Sequence, residues 1–251
     1  MVSLTNIVTE MKEQINPHIL PKGEGGGRFG EGRKGMQKYT HVLWDFNGTL
    51  LDDVDASIES ANALLERHGL PPIESVEAYR LLFGFPIIDY YRRLGFDFER
   101  DSYADLAVEW VAYYLKYSAL STLYPDVVAG LERVGAMGIS QLVLSATERG
   151  MLERQILDLG IYCYFEGLLG MENIHAYSKE EIALGWRERH PDARILLVGD
   201  TDHDADVARA IGADCILLSS GHQSAERLAA CRPLAVAGSI TEALNAVLGI
   251  E

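Results

Sequence analysis

Four groups of residues combine types and spacings that could do chemistry. The first is Asp45-Phe46-Asn47-Gly48-Thr49-Leu50, where a carboxylate closes a short apolar run and a Gly follows three residues on. A carboxylate at the end of a buried strand is held rigidly and pointed outward, which suits a nucleophile that gains from fixed attack geometry. The same letters also spell a tight turn with an Asn-Gly step. The second is Ser145, a hydroxyl at the end of another apolar run, able to hold a phosphoryl oxygen or simply to cap a strand. The third is Lys179, at the start of a helical pattern that runs to about Arg189; it could neutralise a phosphate and the nucleophile together, or be solvated. The fourth is Gly199-Asp200-Thr201-Asp202-His203-Asp204-Ala205-Asp206, four aspartates in seven residues. A helix starting near Thr201 brings Asp200 and Asp204 toward one side. Hard oxygen ligands on a rigid edge suit Mg²⁺, which takes one or two carboxylates and keeps several waters. Acid in a first helical turn also complements the macrodipole, but four aspartates exceed what capping needs.

These groups must be placed by the elements around them. Residues 41–44, 139–144, 195–198 and 215–218 are continuous apolar runs separated by helical patterns, which predicts buried parallel strands. Each run hands over to a polar residue at its carboxyl end, the edge where open α/β sheets bind ligands. Residues 53–124 differ. Val54, Ile58, Ala61, Leu64 and Leu65 mark an amphipathic helix closed by Gly69 and Pro71-Pro72, and helical patterns continue through 77–82, 89–94 and 104–117. No strand-like run interrupts them. The expectation is a helical subdomain inserted after the first strand, over 53–124, with 51–53 and 121–125 as connecting segments and 39–52 plus 125–251 as the α/β core. Residues 22–35 hold seven glycines in fourteen, so 1–38 reads as a flexible extension with a Gly-rich linker.

Composition bounds the partners. The 251 residues are 48% hydrophobic and 24% charged, with a formal charge of −15. Residues 1–39 hold six basic and four acidic side chains, so the excess acid lies wholly in 40–251. Such a surface repels phosphate backbones and argues against nucleic acid. No apolar run approaches the roughly 20 residues that cross a bilayer. The three cysteines, Cys163, Cys215 and Cys231, form no CxxC pair, which fits reduced thiols in a cytoplasmic protein.

In order and in common location at strand ends, the four groups resemble the motifs of the haloacid dehalogenase superfamily: an Asp-x-Asp strand end, a Ser/Thr strand end, a Lys, and an acidic pair after Gly. The resemblance covers residues 40 to about 240. The helical insertion, with Phe83-Gly84-Phe85-Pro86, Asp89-Tyr90-Tyr91 and Leu94-Gly95-Phe96, is similar to the cap of the phosphoglycolate phosphatase and β-phosphoglucomutase subgroup. The resemblance implies a Rossmann-like parallel sheet with a helical-bundle cap, and a phosphatase acting on a small phosphorylated metabolite. Asp45 would attack phosphorus to give an aspartyl-phosphate that water hydrolyses. Mg²⁺ would be held by Asp45, the backbone carbonyl of Asn47 and Asp200, with Asp204 in support. Thr49, Ser145, Ala146 and Lys179 would bind the substrate, and Arg80, with Arg92 and Arg93, could reach an anionic tail. The chain is expected to be a monomer or homodimer, with no nucleic-acid or membrane partner.

The sequence departs from the family at Asn47, where most of these phosphatases carry the Asp that serves as general acid and base. An amide keeps the hydrogen-bond geometry but shuttles no proton, a loss worth about 10²–10⁴ in rate. Three expectations follow: a substrate whose leaving group needs little protonation, another donor such as His203 or Glu148, or a weakly active or non-catalytic phospho-ligand binder.

Overall fold

The computed structural model describes residues 38–171 and 178–248, and the expected N-terminal extension lies outside them save for Lys38. The core is a parallel sheet of six strands in the order β5-β4-β1-β6-β7-β8: β1 (His41–Trp44), β4 (Ser140–Glu148), β5 (Gly167–Met171), β6 (Ile195–Gly199), β7 (Asp214–Leu218) and β8 (Ala235–Ala237). The reversal of strand order falls beside β1. Its two edges pair along their whole length with β4 on one side and β6 on the other, Trp44 lying opposite Val143 and Val198.

Both faces of the sheet are covered, which is why its strands read as unbroken apolar runs rather than as alternation. On one face Val42, Trp44, Val143, Val198 and Ile216 pack with Leu131, Ile156 and Leu244. These come from helices α5 (Val127–Ala136), α6 (Arg149–Asp158) and α10 (Ile240–Leu248). On the other, Leu43, Leu144, Leu197 and Leu217 pack with Trp186, Val207 and Leu228, from α7 (Lys179–Arg189), α8 (Asp202–Ile211) and α9 (Ala225–Ala230). Each fully buried Leu or Val contributes about 1.5–3 kcal/mol. Truncating Leu197, which has no exposed surface, costs about 2–5 kcal/mol through the cavity it leaves.

Two strands of the six-stranded sheet escaped the sequence reading. β5 and β8 are short and carry Gly or Ala, so their apolar signal is thin. The run expected to close at Ser145 continues to Glu148. Its pairing with β5 shifts register between Leu144 and Glu148, so Ser145 sits at an irregularity within β4 rather than after it. Such a break bends a strand and re-aims its side chains.

Between β2 (Leu51–Asp52) and β3 (Thr122–Leu123) lie α1 (Val54–Arg67), α2 (Val76–Leu82), α3 (Ile87–Arg93) and α4 (Tyr103–Tyr117). The two connecting segments pair as an antiparallel ribbon, Leu51 opposite Leu123. The helices bury a cluster of their own, including Leu64, Leu65, Tyr79, Tyr90, Tyr91, Phe96 and Leu106. Ser75 and Ser102 cap α2 and α4 by accepting from backbone N–H groups three residues on. Among the described residues no helix is long and apolar enough to cross a membrane.

Candidate active site

The carboxyl ends of β1 and β6 bring together acids that are far apart in sequence. Asp45 follows β1, Asp200 follows β6, and Asp204 lies in the first turn of α8; all three are buried. One oxygen from each falls within 4.8 Å of the others. Lys179, the first residue of α7, is buried too. Its helix starts at a Ser178–Glu181 capping box, which fixes where the lysine leaves the backbone. Its Nζ donates to Asp45 Oδ1 and, at 2.5 Å, to Asp204 Oδ1.

Asp204 divides its two oxygens. Oδ2 accepts from Thr201 N at 3.0 Å and Thr201 Oγ1 at 2.6 Å and so caps α8, while Oδ1 faces Lys179. Asp204 therefore closes the capping box with one oxygen and meets Lys179 with the other. Asp202 and Asp206 are engaged elsewhere, with Arg227 at 2.7 Å and Arg209 at 2.6 Å.

Gly48 is a point of close approach. Its φ of +71° favours glycine, and a Cβ there would stand 2.3 Å from Asp200 Oδ2 and 2.5 Å from His222 Cδ2. The loop after β1 can thus lie directly against Asp200, whose Oδ2 accepts from His222 N at 2.6 Å.

Burial pushes the Asp45 carboxyl up to about 6, against the pull of Lys179. Burial likewise lifts Asp200 well above the ordinary carboxylate value. For Asp204, burial pushes upward but the adjacent lysine wins, and its pKa is lowered. Lys179 is raised, because two carboxylates outweigh its desolvation. Three buried carboxylates crowded around one ammonium present an all-oxygen donor set, which suits a hard divalent ion.

Other expected residues fall in different places. Ser145 is buried, and its Oγ donates to Thr147 Oγ1 at 3.0 Å. Ala146 beside it is exposed. Thr49, expected at the substrate, has a completely buried hydroxyl lying 3.4 Å from Asp45 Oδ2 and 3.3 Å from Asp200 Oδ1; the turn after β1 aims it beneath the carboxylates. Arg80, expected on a substrate tail, donates instead to the carbonyls of Ser220 and Gly221 at 2.7 and 2.9 Å. Arg92 pairs with Asp89 and Arg93 donates to the carbonyl of Leu82, both on the surface. Glu148 caps α6 through Met151 N, and His203 packs on Phe85 with ring centroids 4.7 Å apart.

The sequence reading missed Asp53, Tyr114 and His222. Asp53, 1% exposed, accepts from Gly48 N at 2.8 Å, Asn47 Nδ2 at 2.9 Å and Tyr114 Oη at 2.5 Å. His222 Nε2 lies 3.4 Å from Asp53, and its Nδ1 is 2.9 Å from Tyr79 Oη. Burial would lower the His222 pKa, but Asp53 outweighs it and holds the ring at about 9. Asp53 is pushed up by burial and pulled below its usual value chiefly by that charge. The available signals were the Asp52-Asp53 pair in a connecting segment and Gly221-His222 just past the end of β7.

Residues 42–218 match the family model for haloacid dehalogenase-like hydrolases. A phosphoglycolate phosphatase of Neisseria meningitidis is 27% identical over 219 residues, spanning 80% of this chain and 90% of the relative. Among solved structures, a haloacid dehalogenase-like family hydrolase from Streptococcus pneumoniae superposes with a TM-score of 0.71 at 20% identity, over 83% of this chain and 98% of that one. A Mycobacterium tuberculosis chain described as protein tyrosine kinase A gives 0.70 at 23%, over 84% and 99%. At such identities the structural likeness carries the fold alone, whereas the family match spans well over half the sequence. This chain belongs to the haloacid dehalogenase-like hydrolase family.

Proposed function

We propose that the protein is a Mg²⁺-dependent phosphatase that hydrolyses a small phosphorylated metabolite through an aspartyl-phosphate on Asp45, in the manner of the phosphoglycolate phosphatases it resembles. The observation that carries this reading is the convergence of Asp45, Asp200 and Asp204 within 4.8 Å, with Lys179 hydrogen-bonded to two of them. The divalent ion would be held by Asp45, Asp200 and the backbone carbonyl of Asn47, with Asp204 in support. When bound it would supply positive charge against the nucleophile and the phosphoryl oxygens, which would otherwise repel each other.

The chain's own residues do the rest. Asp45 attacks phosphorus from a position fixed by β1 and by Lys179. Lys179 and Ser145 hold the transferring group, joined by the backbone at Ala146; such reactions depend mostly on positioning and charge neutralisation. Water then cleaves the acyl phosphate and regenerates Asp45. The helical insertion acts as a cap, with 51–53 and 121–125 as its hinge. Asn47 moves no proton, so the favoured substrates are those whose leaving group departs unaided, such as acyl phosphates and phosphoanhydrides.

The test is phosphate release with Mg²⁺ across a panel of phosphate esters, acyl phosphates and anhydrides. Turnover is expected, lost with EDTA and abolished in Asp45→Ala. Absence of turnover on every member of the panel overturns the reading.

A further inference from the structure

The surroundings of Asn47 account for its identity. Its Nδ2 donates twice, to Asp53 Oδ2 at 2.9 Å and to Tyr114 Oη at 2.7 Å. Tyr114 Oη passes its own proton to the same Asp53 oxygen at 2.5 Å, closing a three-membered ring of hydrogen bonds. On the other side Asn47 Oδ1 accepts from Thr147 Oγ1 at 3.1 Å, which in turn accepts from Ser145 Oγ at 3.0 Å. Both amide hydrogens and the carbonyl oxygen are engaged.

Only an amide satisfies this arrangement. An aspartate at position 47 would set a carboxylate oxygen against Asp53 Oδ2, acceptor against acceptor, where Asp53 is buried. Two carboxylates in contact, one of them buried and already accepting from Tyr114, repel strongly. The amide also ends the chain of donors that begins at Ser145 Oγ, so its orientation sets where that hydroxyl points.

We propose that Asp53, together with Tyr114, is a positioning residue that pins the Asn47 amide beside the nucleophile, so that Asn47 and Asp53 form a matched pair exchangeable only together. The activity arm of the proposal rests on the phosphatase reading; the stability arm does not. Placing an Asp at position 47 alone therefore harms the enzyme rather than restoring a missing acid. The reversed pair, Asn47→Asp with Asp53→Asn, rebuilds the contact with donor and acceptor interchanged.

The experiment compares the native chain, Asn47→Asp, Asp53→Asn and the double variant. Melting is read in metal-free buffer, and kcat and KM with para-nitrophenyl phosphate and Mg²⁺. Asn47→Asp is expected to melt about 5–10 °C lower and to lose roughly 10²-fold in kcat, since a displaced group near the chemistry costs that much. The double variant is expected to recover most of both losses, with KM little changed throughout. The proposal is overturned if Asn47→Asp matches the native chain, or if the double variant shows the sum of the two single losses. Recovery of melting without recovery of kcat also overturns it, because that is the signature of a purely structural contact. Should the native chain turn over nothing, the phosphatase reading fails and the melting cycle alone judges the pair.

Discussion

The sheet edge and the helical insertion contribute to the site in different ways. At the edge, Asp45 and Asp200 sit one residue beyond β1 and β6, and Lys179 opens α7, so each side chain inherits the rigidity of a packed element. The insertion reaches the core through α2, the Phe83 that follows it, and Tyr114 of α4. Tyr79 Oη meets His222, Arg80 meets the carbonyls of Ser220 and Gly221, and the Phe83 carbonyl accepts from Arg227. Chemistry needs atoms fixed to fractions of an ångström, which a close-packed sheet supplies. Access needs contacts that can break, and a few hydrogen bonds across a boundary supply those.

That contrast is open to attack, beginning where the largest effect is expected. Lys179→Ala should remove the only cation shared by Asp45 and Asp204 among the described residues. Phosphate release is expected to fall roughly 10³-fold, and stability by about 3–5 kcal/mol for breaking a buried ion pair. Urea unfolding and steady-state kinetics measure both, and an active, fully stable variant would mean the edge is not organised around this lysine. Next comes the leaving group. With an amide at position 47, acyl phosphates should outpace alkyl esters by about 10²-fold or more, the range lost without general acid catalysis. A flat dependence of kcat/KM on leaving-group pKa would point to another proton donor.

Smaller effects are expected in the insertion. Arg80→Ala should lower kcat/KM by about tenfold or more, since even one hydrogen bond to a charged group is worth about 1.5–3 kcal/mol, while calorimetric Mg²⁺ affinity stays unchanged. A parallel loss of metal affinity would erase the distinction between the two regions. The smallest effect lies far from both. Tyr39 Oη donates to Asp214 at 2.5 Å, and this bond, with Lys38, holds the Asp214 carboxyl below its ordinary 3.8. A depressed carboxylate stabilises the fold above the unfolded pKa and loses that contribution as pH falls through the folded value. The gap in urea midpoint between the native chain and Tyr39→Phe should therefore be present at pH 7 and shrink below about pH 4. A gap constant with pH would show that the carboxylate plays no part.

Much of the edge was legible before any coordinates. Strand runs ending in Asp45 and Gly199-Asp200, and a helix opening at Lys179, are local patterns of two to twelve residues. What resisted reading depends on direction or on distance along the chain. Thr49 and Asp45 are four residues apart, yet nothing local says that the hydroxyl turns under the carboxylate instead of toward a ligand. Arg80 was expected on an anionic substrate tail because the partners it meets here, two carbonyls, are some 140 positions away. The register shift in β4 that re-aims Ser145 arises from pairing with β5, a strand whose own signal is faint.

By itself, the order of residues determined the alternation of apolar runs and helical patterns and hence a parallel α/β sheet. It also determined the acidic excess, and the presence of a nucleophile-like carboxylate, a lysine and an acid cluster at element ends. These follow from periodicity and from what terminates an element, which are local properties. Tertiary structure alone decided that Asp53, from a connecting segment, would meet Asn47, Tyr114 and His222, separated from it by up to 169 positions. It thereby gave Asn47 a reason to be an amide, since hydrogen-bond complementarity is set by whichever groups folding buries together.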